Sequence, residues 1–271
     1  MIQDIYPSKL DNVYKDQKPR ANDFILVFNE DGKVFVNISD NEPQFTTAQQ
    51  IKTDSPIYLF SIDDMSYYLA PFGSYDIPDG YEPYSVRSLR DDSSGKGLFA
   101  AFTAYHLWKW YNDNRFCGVC GKEMTHSKTE RALKCDCGNT VYPRINPAVI
   151  VGVKNGDSLL ITRYRRGYGH NALIAGFVEI GETLEETVAR EVSEEAGIRV
   201  KNIRYYKSQP WGMAQDLLAG FFCEVDGDDS IQMDEGELKY AQWVKRDVIE
   251  LQPGSHSLTN EMMRMFKEGK A

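Results

Sequence analysis

Residues 176–198 read GFVEIGETLEETVAREVSEEAGI, and this stretch decides the fold. Its second half carries the marks of one short amphipathic helix. Thr183 with Glu186 three residues later is a capping-box signature. Gly197 supplies the stop, because glycine accepts the left-handed backbone that ends helices. Leu184, Val188, Val192 and Ala196 recur at every fourth position and predict an apolar stripe toward a core. Glu191, Glu194 and Glu195 stand at i, i+3 and i+4, so their carboxylates gather on one patch. Like charges at that spacing oppose a helix by about 0.2–0.5 kcal/mol per pair, and Arg190 alone cannot offset three acids. A hard divalent cation can, since Mg²⁺ takes carboxylate oxygens while keeping waters. A merely solvated acidic face would explain the helix but not the fixed residues around it.

Those fixed residues run Gly176, five residues, Glu182, seven residues, then Arg190-Glu191-Val192-x-Glu194-Glu195-x-Gly197-Ile198. They fill every place of the Nudix box, G-x5-E-x7-R-E-U-x-E-E-x-G-U, with U a bulky aliphatic residue. The chain resembles a Nudix hydrolase.

Composition sets the frame. The chain has 271 residues, enough for two domains or for one domain with accessories. With 42% hydrophobic and 26% charged residues it reads as an ordinary globular protein. No run reaches the length of a membrane span and the N-terminus has no apolar signal core, so the expectation is a cytoplasmic protein with no membrane partner. A net charge of −9 argues against a general coat for nucleic acid. Four of the five cysteines fall within 21 residues, which is not a secreted disulfide framework, and Cys223 stands alone in an apolar run as core.

The four are Cys117-x2-Cys120, fourteen intervening residues, and Cys135-x-Cys137, each pair followed by a glycine. Two such knuckles predict a closed, structural Zn²⁺ site. The second pair is one residue shorter than usual, and His126 between the pairs is the substitute if one thiolate is badly placed. Residues 115–144 also carry six Lys/Arg against three Asp/Glu, a small basic patch suited to RNA.

Taken in order, residues 24–28 and 33–36 around Asp31-Gly32 predict a hairpin, and residues 57–60 and 67–70 around Asp63-Asp64 a second. Residues 97–111 predict a buried helix. From Tyr142 on, strands at 147–153, 158–162, 203–206, 217–225 and 240–244 flank the box helix, with a last helix over 259–267. Strands around an inserted helix predict an α/β sandwich on a mixed sheet. The expected organisation is an N-terminal α+β domain over 1–114, a zinc ribbon over 115–142 and a Nudix α/β/α sandwich over 143–271.

One branch of the family is matched more closely, the NADH pyrophosphatases. Arg115-Phe116-Cys117-Gly118-x-Cys120-Gly121 is similar to its ribbon opening, Tyr142-Pro143-Arg144-Ile145-x-Pro147 to its ribbon exit, and Ser208-Gln209-Pro210-Trp211 to the start of its SQPWPFPxS motif. The chain departs from that motif at once, with Gly212-Met213-Ala214-Gln215-Asp216 in place of Pro-Phe-Pro-x-Ser. Loss of both prolines predicts a less preorganised turn and modest discrimination among dinucleotides.

The resemblance implies Mg²⁺ or Mn²⁺ held by Glu191, Glu195, Glu237 and the Ala175 carbonyl, with Glu194 a further participant. It implies that Glu191 or Glu237 takes the proton from the attacking water. It places substrate against Arg87, Glu130, Tyr142, Gln209, Pro210, Trp211, Gly212, Met213, Ala214, Gln215 and Asp216, with a ring stacked on Trp211. The implied reaction is hydrolysis of the diphosphate of NADH or NAD⁺ to nicotinamide mononucleotide and AMP by a homodimer. Rival substrates are NAD-capped RNA, ADP-ribose and a flavin dinucleotide. A non-catalytic nucleotide sensor is the rival from another class, and the intact glutamates count against it.

Overall fold

The computed structural model describes residues 1–271 except Tyr168, and the backbone only of Asp92. The chain divides into two compact units, one of Met1, Ile145–Trp211 and Asp216–Ala271, the other of Ile2–Arg144 and Gly212–Gln215.

The first unit is built on one six-stranded mixed sheet. Its strands are β1 (Asn146–Asn155), β2 (Ser158–Tyr164), β3 (Ile174–Phe177), β4 (Val200–Trp211), β5 (Asp216–Val225) and β6 (Leu238–Lys245). The order is β4-β5-β1-β2-β6, with β3 also paired to β1. β1 and β5 are parallel, and the other pairs antiparallel. Alternation along β1 and β5 sends side chains to two faces. Val149, Val151, Val153, Phe221 and Cys223 pack with Val188, Val192 and Ala196 of helix α1 (Leu184–Ala196). Ile150 and Phe222 pack with Leu258, Met262, Met263 and Phe266 of helix α2 (Leu258–Lys267). The expected α/β/α sandwich is therefore present. Thr183 caps α1 with both arms of the capping box, and Gly197 closes it at φ 70°.

In the second unit, Leu10–Asp11, Ile57–Ile62, Met65–Leu69 and Phe24–Leu26 make one sheet, and Glu42–Phe45, Val34–Ser39 and Glu82–Tyr84 another. The hairpin expected at 57–70 forms, with Ile57–Ile62 paired to Met65–Leu69. The one expected at 24–36 forms only in part. It closes beside its turn, where the Asn29 N–H donates to the Lys33 carbonyl at 2.9 Å, the Phe35 N–H donates to the Val27 carbonyl at 3.0 Å and Phe28 bridges Val34 antiparallel, but farther out its arms join different sheets. Phe24–Leu26 pairs in parallel with Met65–Leu69, and Val34–Ser39 pairs with two other strands. Residues 24–28 are apolar without alternation, a pattern that buries both faces and does not select the nearest partner. Gly95–Asp113 is the expected buried helix, preceded by an unforeseen short helix, Val86–Asp92. Among the described residues no helix is long and apolar enough to cross a membrane.

Candidate active site and metal centres

The carboxylate patch forms where the C-terminal half of α1 crosses β3. Gly176 makes this approach possible. A Cβ there would lie 1.9 Å from the Glu191 Cδ, so only glycine lets that carboxylate rest against the strand. Glu195 is 2% exposed. Burial, then the charge of Glu191, pushes its carboxyl up to about 8, and Glu237 adds to the shift. Burial also raises Glu191, with Glu194 and Glu237 contributing. Glu237, exposed on the approach to β6, thus acts on both.

Arg190 braces this cluster. Its Nε and Nη2 clamp Glu182 at 2.7 and 2.9 Å. Its Nη1 donates to Glu191 at 2.8 Å and Glu194 at 2.9 Å, and Nη2 reaches the Phe177 carbonyl at 2.9 Å. The guanidinium holds Glu182 down to about 2. Glu194 points outward, its side chain 60% exposed, so the three helix acids are not equivalent. Among the described residues no ion pair reaches Glu195; it meets the hydroxyl of Tyr164 instead, at 3.2 and 3.3 Å. The sequence reading missed Tyr164. Its signal was alternation with Leu160 on the α1 face of β2, a weak one for a tyrosine at a strand end. Two inward carboxylates raised by burial and by neighbouring acids, with the Ala175 carbonyl 3.5 Å from the Tyr164 hydroxyl that also meets Glu195, form a donor set that fits a hard divalent cation.

The four cysteines also converge. Cys117 and Cys137 Sγ are 3.7 Å apart and Cys120 and Cys135 Sγ 3.4 Å, all four sulfurs lying within 4.8 Å of one another. Zn–S bonds of about 2.3 Å put tetrahedral sulfurs about 3.8 Å apart, so the cluster fits a four-thiolate ion. The short second knuckle is accommodated by a tight turn, the Gly138 N–H donating to the Cys135 carbonyl at 2.9 Å. His126 is not part of the cluster; its ring lies against Tyr111, 5.1 Å between centroids.

The implied substrate residues separate into groups. Glu130 and Tyr142 come together: Lys134, 3.0 Å away, and then the Tyr142 hydroxyl hold Glu130 below its ordinary range. Arg87 is exposed on Val86–Asp92, and the Ser85-Val86-Arg87-Ser88 stretch that drew attention to it is a helix cap, with Ser85 Oγ accepting from the Ser88 N–H. Gln209 is corrected to a fold residue. It is fully buried, its amide donating to the His256 carbonyl and accepting from the Leu258 N–H, both at 2.7 Å, which satisfies the start of α2. Pro210 is exposed and Trp211 half-buried at the end of β4.

The loosened turn expected after Trp211 is also corrected. Residues 212–215 make a tight turn in which the Gln215 N–H donates to the Gly212 carbonyl at 3.2 Å. Arg144 Nη2 donates to Gln215 Oε1 at 2.7 Å, and Gly212 packs so closely that a Cβ would stand 2.1 Å from the Phe102 carbonyl oxygen. Packing replaces the stiffness that prolines would give. Met213 is half-buried and Ala214 exposed. Asp216 is 6% exposed, one carboxylate oxygen lacks a partner among the described residues, and burial lifts the group to about 6. The basic patch is smaller than its count. Arg131 is turned inward to Asn12 and the Leu59 carbonyl, and Lys134 is paired with Glu130.

The family described as NUDIX domain matches residues 144–266. The NAD-capped RNA hydrolase NudC of Shigella flexneri is 47% identical over 174 residues, and that of Salmonella typhi 44% identical over 171. Each match covers 62% of this chain and 66% of the relative, just under two thirds of the relative's length. A solved NUDIX hydrolase from Nitrosomonas europaea shares the fold, with a TM-score of 0.50 and 22% identity over 57% of this chain and 91% of that one. Residues 144–266 are thus a Nudix domain.

Proposed function

We propose that this protein hydrolyses the diphosphate bond of a nicotinamide adenine dinucleotide, giving nicotinamide mononucleotide and AMP. The observation that carries the reading is the pair of inward carboxylates, Glu191 and Glu195, beside the Ala175 carbonyl. With Glu237 these groups hold Mg²⁺ or Mn²⁺. When bound, the cation supplies charge for the leaving phosphate and lowers the pKa of a water. The chain's own residues do the rest. Arg190 keeps Glu191 in place while pairing with Glu182, and Glu194 takes part from the rim. Glu191 or Glu237 accepts the proton of the attacking water. Trp211 stacks on a substrate ring, and Pro210, Gly212, Met213, Ala214, Gln215, Asp216, Arg87, Glu130 and Tyr142 contact the remainder of the substrate. The four cysteines hold a structural Zn²⁺ in a ribbon over 115–142, between an N-terminal domain over 1–114 and the hydrolase domain over 143–271. A homodimer completes this reading, and light scattering tests it.

A second substrate has specific support. The matched relatives are named NAD-capped RNA hydrolases, and the same bond joins the cap to RNA, whose hydrolysis leaves a 5′-monophosphate end. Purified protein with Mg²⁺ or Mn²⁺ is to be given NADH, NAD⁺, ADP-ribose, a flavin dinucleotide and NAD-capped RNA, and the products identified. The highest kcat/KM on a nicotinamide substrate supports the proposal. A preference for ADP-ribose, or no metal-dependent turnover at all, sinks it.

A further inference from the structure

We propose that Tyr164 is a positioning residue for the cation site, holding the Glu195 carboxylate and the Ala175 peptide in one arrangement through its hydroxyl. This rests on the cation site proposed above and assigns a role to a residue outside the Nudix box.

Alternation along β2 puts Leu160, Thr162 and Tyr164 on one face, and Leu160 belongs to the core under α1. At its end β2 slips against β6. Arg163 pairs with Tyr240 but Tyr164 with Leu238, which leaves Lys239 as an extra residue in β6. Such a bulge bends a strand and re-aims the side chains beside it. The Tyr164 hydroxyl sits 3.2 and 3.3 Å from the two Glu195 oxygens. It also accepts the Ala175 N–H at 3.1 Å. The hydroxyl therefore joins α1 to β3 at two of the proposed ligands. The next residue fixes a third, since the Arg165 N–H donates to the Glu237 carbonyl at 2.9 Å and its Nε to the Leu238 carbonyl at 3.1 Å.

A buried carboxylate with no ion pair gains a single orientation from such a donor. Groups that orient metal ligands in this way govern affinity more than fold.

The test is a Mn²⁺ titration monitored by electron paramagnetic resonance, on the full chain and on Tyr164→Phe, which keeps the ring and its packing. Affinity should fall about tenfold to a hundredfold, and activity lost at low Mn²⁺ should largely return at saturating Mn²⁺. Thr162→Val is the control. Thr162 is fully buried on the same face, its hydroxyl has no partner among the described residues, and its loss should leave Mn²⁺ affinity unchanged. Metal-free melting temperatures of both variants should stay near that of the unaltered protein.

Unchanged affinity in Tyr164→Phe overturns the positioning role. So does a loss of affinity that comes only with loss of the metal-free fold, or an equal loss in Thr162→Val. A parent protein that binds no Mn²⁺, or whose binding survives Glu195→Gln, overturns the cation site itself and this inference with it.

Discussion

The Glu191 carboxylate fills the space where any other residue at position 176 would carry its side chain, 1.9 Å from the place of a Cβ on Gly176. The first glycine of the box is thus a steric partner of its central glutamate. Gly176→Ala should push the carboxylate off the strand and lower kcat/KM on a nicotinamide dinucleotide strongly. The melting temperature should fall little, because the displaced group lies at the edge of the core. Near-normal turnover in this variant would show that Glu191 does not act from its observed position.

Glu191→Gln and Glu195→Gln should each lower metal-dependent turnover by orders of magnitude while preserving the fold. Glu195→Gln carries a second signature. A carboxyl raised to about 8 by burial contributes most to stability at low pH and loses that contribution as pH rises through 8. The neutral amide should therefore make the metal-free protein more stable than its parent at pH 8 to 9, by chemical denaturation. Full turnover in either variant would remove that residue from the site.

Protein purified without chelator should hold about one Zn²⁺ per chain, and Cys117→Ala should lose it and melt at lower temperature, because a closed zinc site contributes directly to folding. His126→Ala should keep the metal, since its ring packs on Tyr111 away from the four sulfurs. Zinc analysis of the three proteins decides the point.

Restoring proline after Trp211 should harm this protein. At Gly212 a side chain meets the Phe102 carbonyl, a backbone atom that cannot step aside cheaply. Gly212→Pro should destabilise by at least about 1–3 kcal/mol, the range for overpacking. Trp211→Ala should leave the fold intact and lower kcat/KM for NADH, since stacking of a base on an aromatic ring is worth roughly 1–3 kcal/mol. A Gly212→Pro protein as stable as its parent would show the turn to be looser than its packing indicates.

Asp216 gives a pH-dependent prediction away from the carboxylate patch. Burial raises it from 3.8 to about 6, so the stability it contributes is complete below 3.8 and is lost as pH climbs through 6. Asp216→Asn should stabilise the protein progressively over that window and level off above it, by up to roughly 3 kcal/mol at about 1.36 kcal/mol per decade. Any misfit of the new amide is independent of pH, so the slope is the readout. Denaturation curves at pH 5 and pH 8 with an equal difference between the two proteins would exclude a buried, ionised Asp216.

Whatever depends on near neighbours was legible in the amino-acid order alone. The caps and stripe of Leu184–Ala196, the convergence of Glu191 and Glu195, the turns of the cysteine knuckles and the alternation of the central strands all arise from the 3.6 and 2.0 residue periods and from single glycines. The remainder took shape only in three dimensions. Folding set the Tyr164 hydroxyl on Glu195, 31 residues away, and the Gln209 amide on the start of α2, 49 residues away. It turned Arg131 inward toward Leu59, withdrawing it from the patch to which its charge assigned it, and it tied down a turn whose lost prolines predicted looseness. Propensity and periodicity act over a few residues, whereas a buried polar group takes its partner from whichever distant segment the core brings beside it.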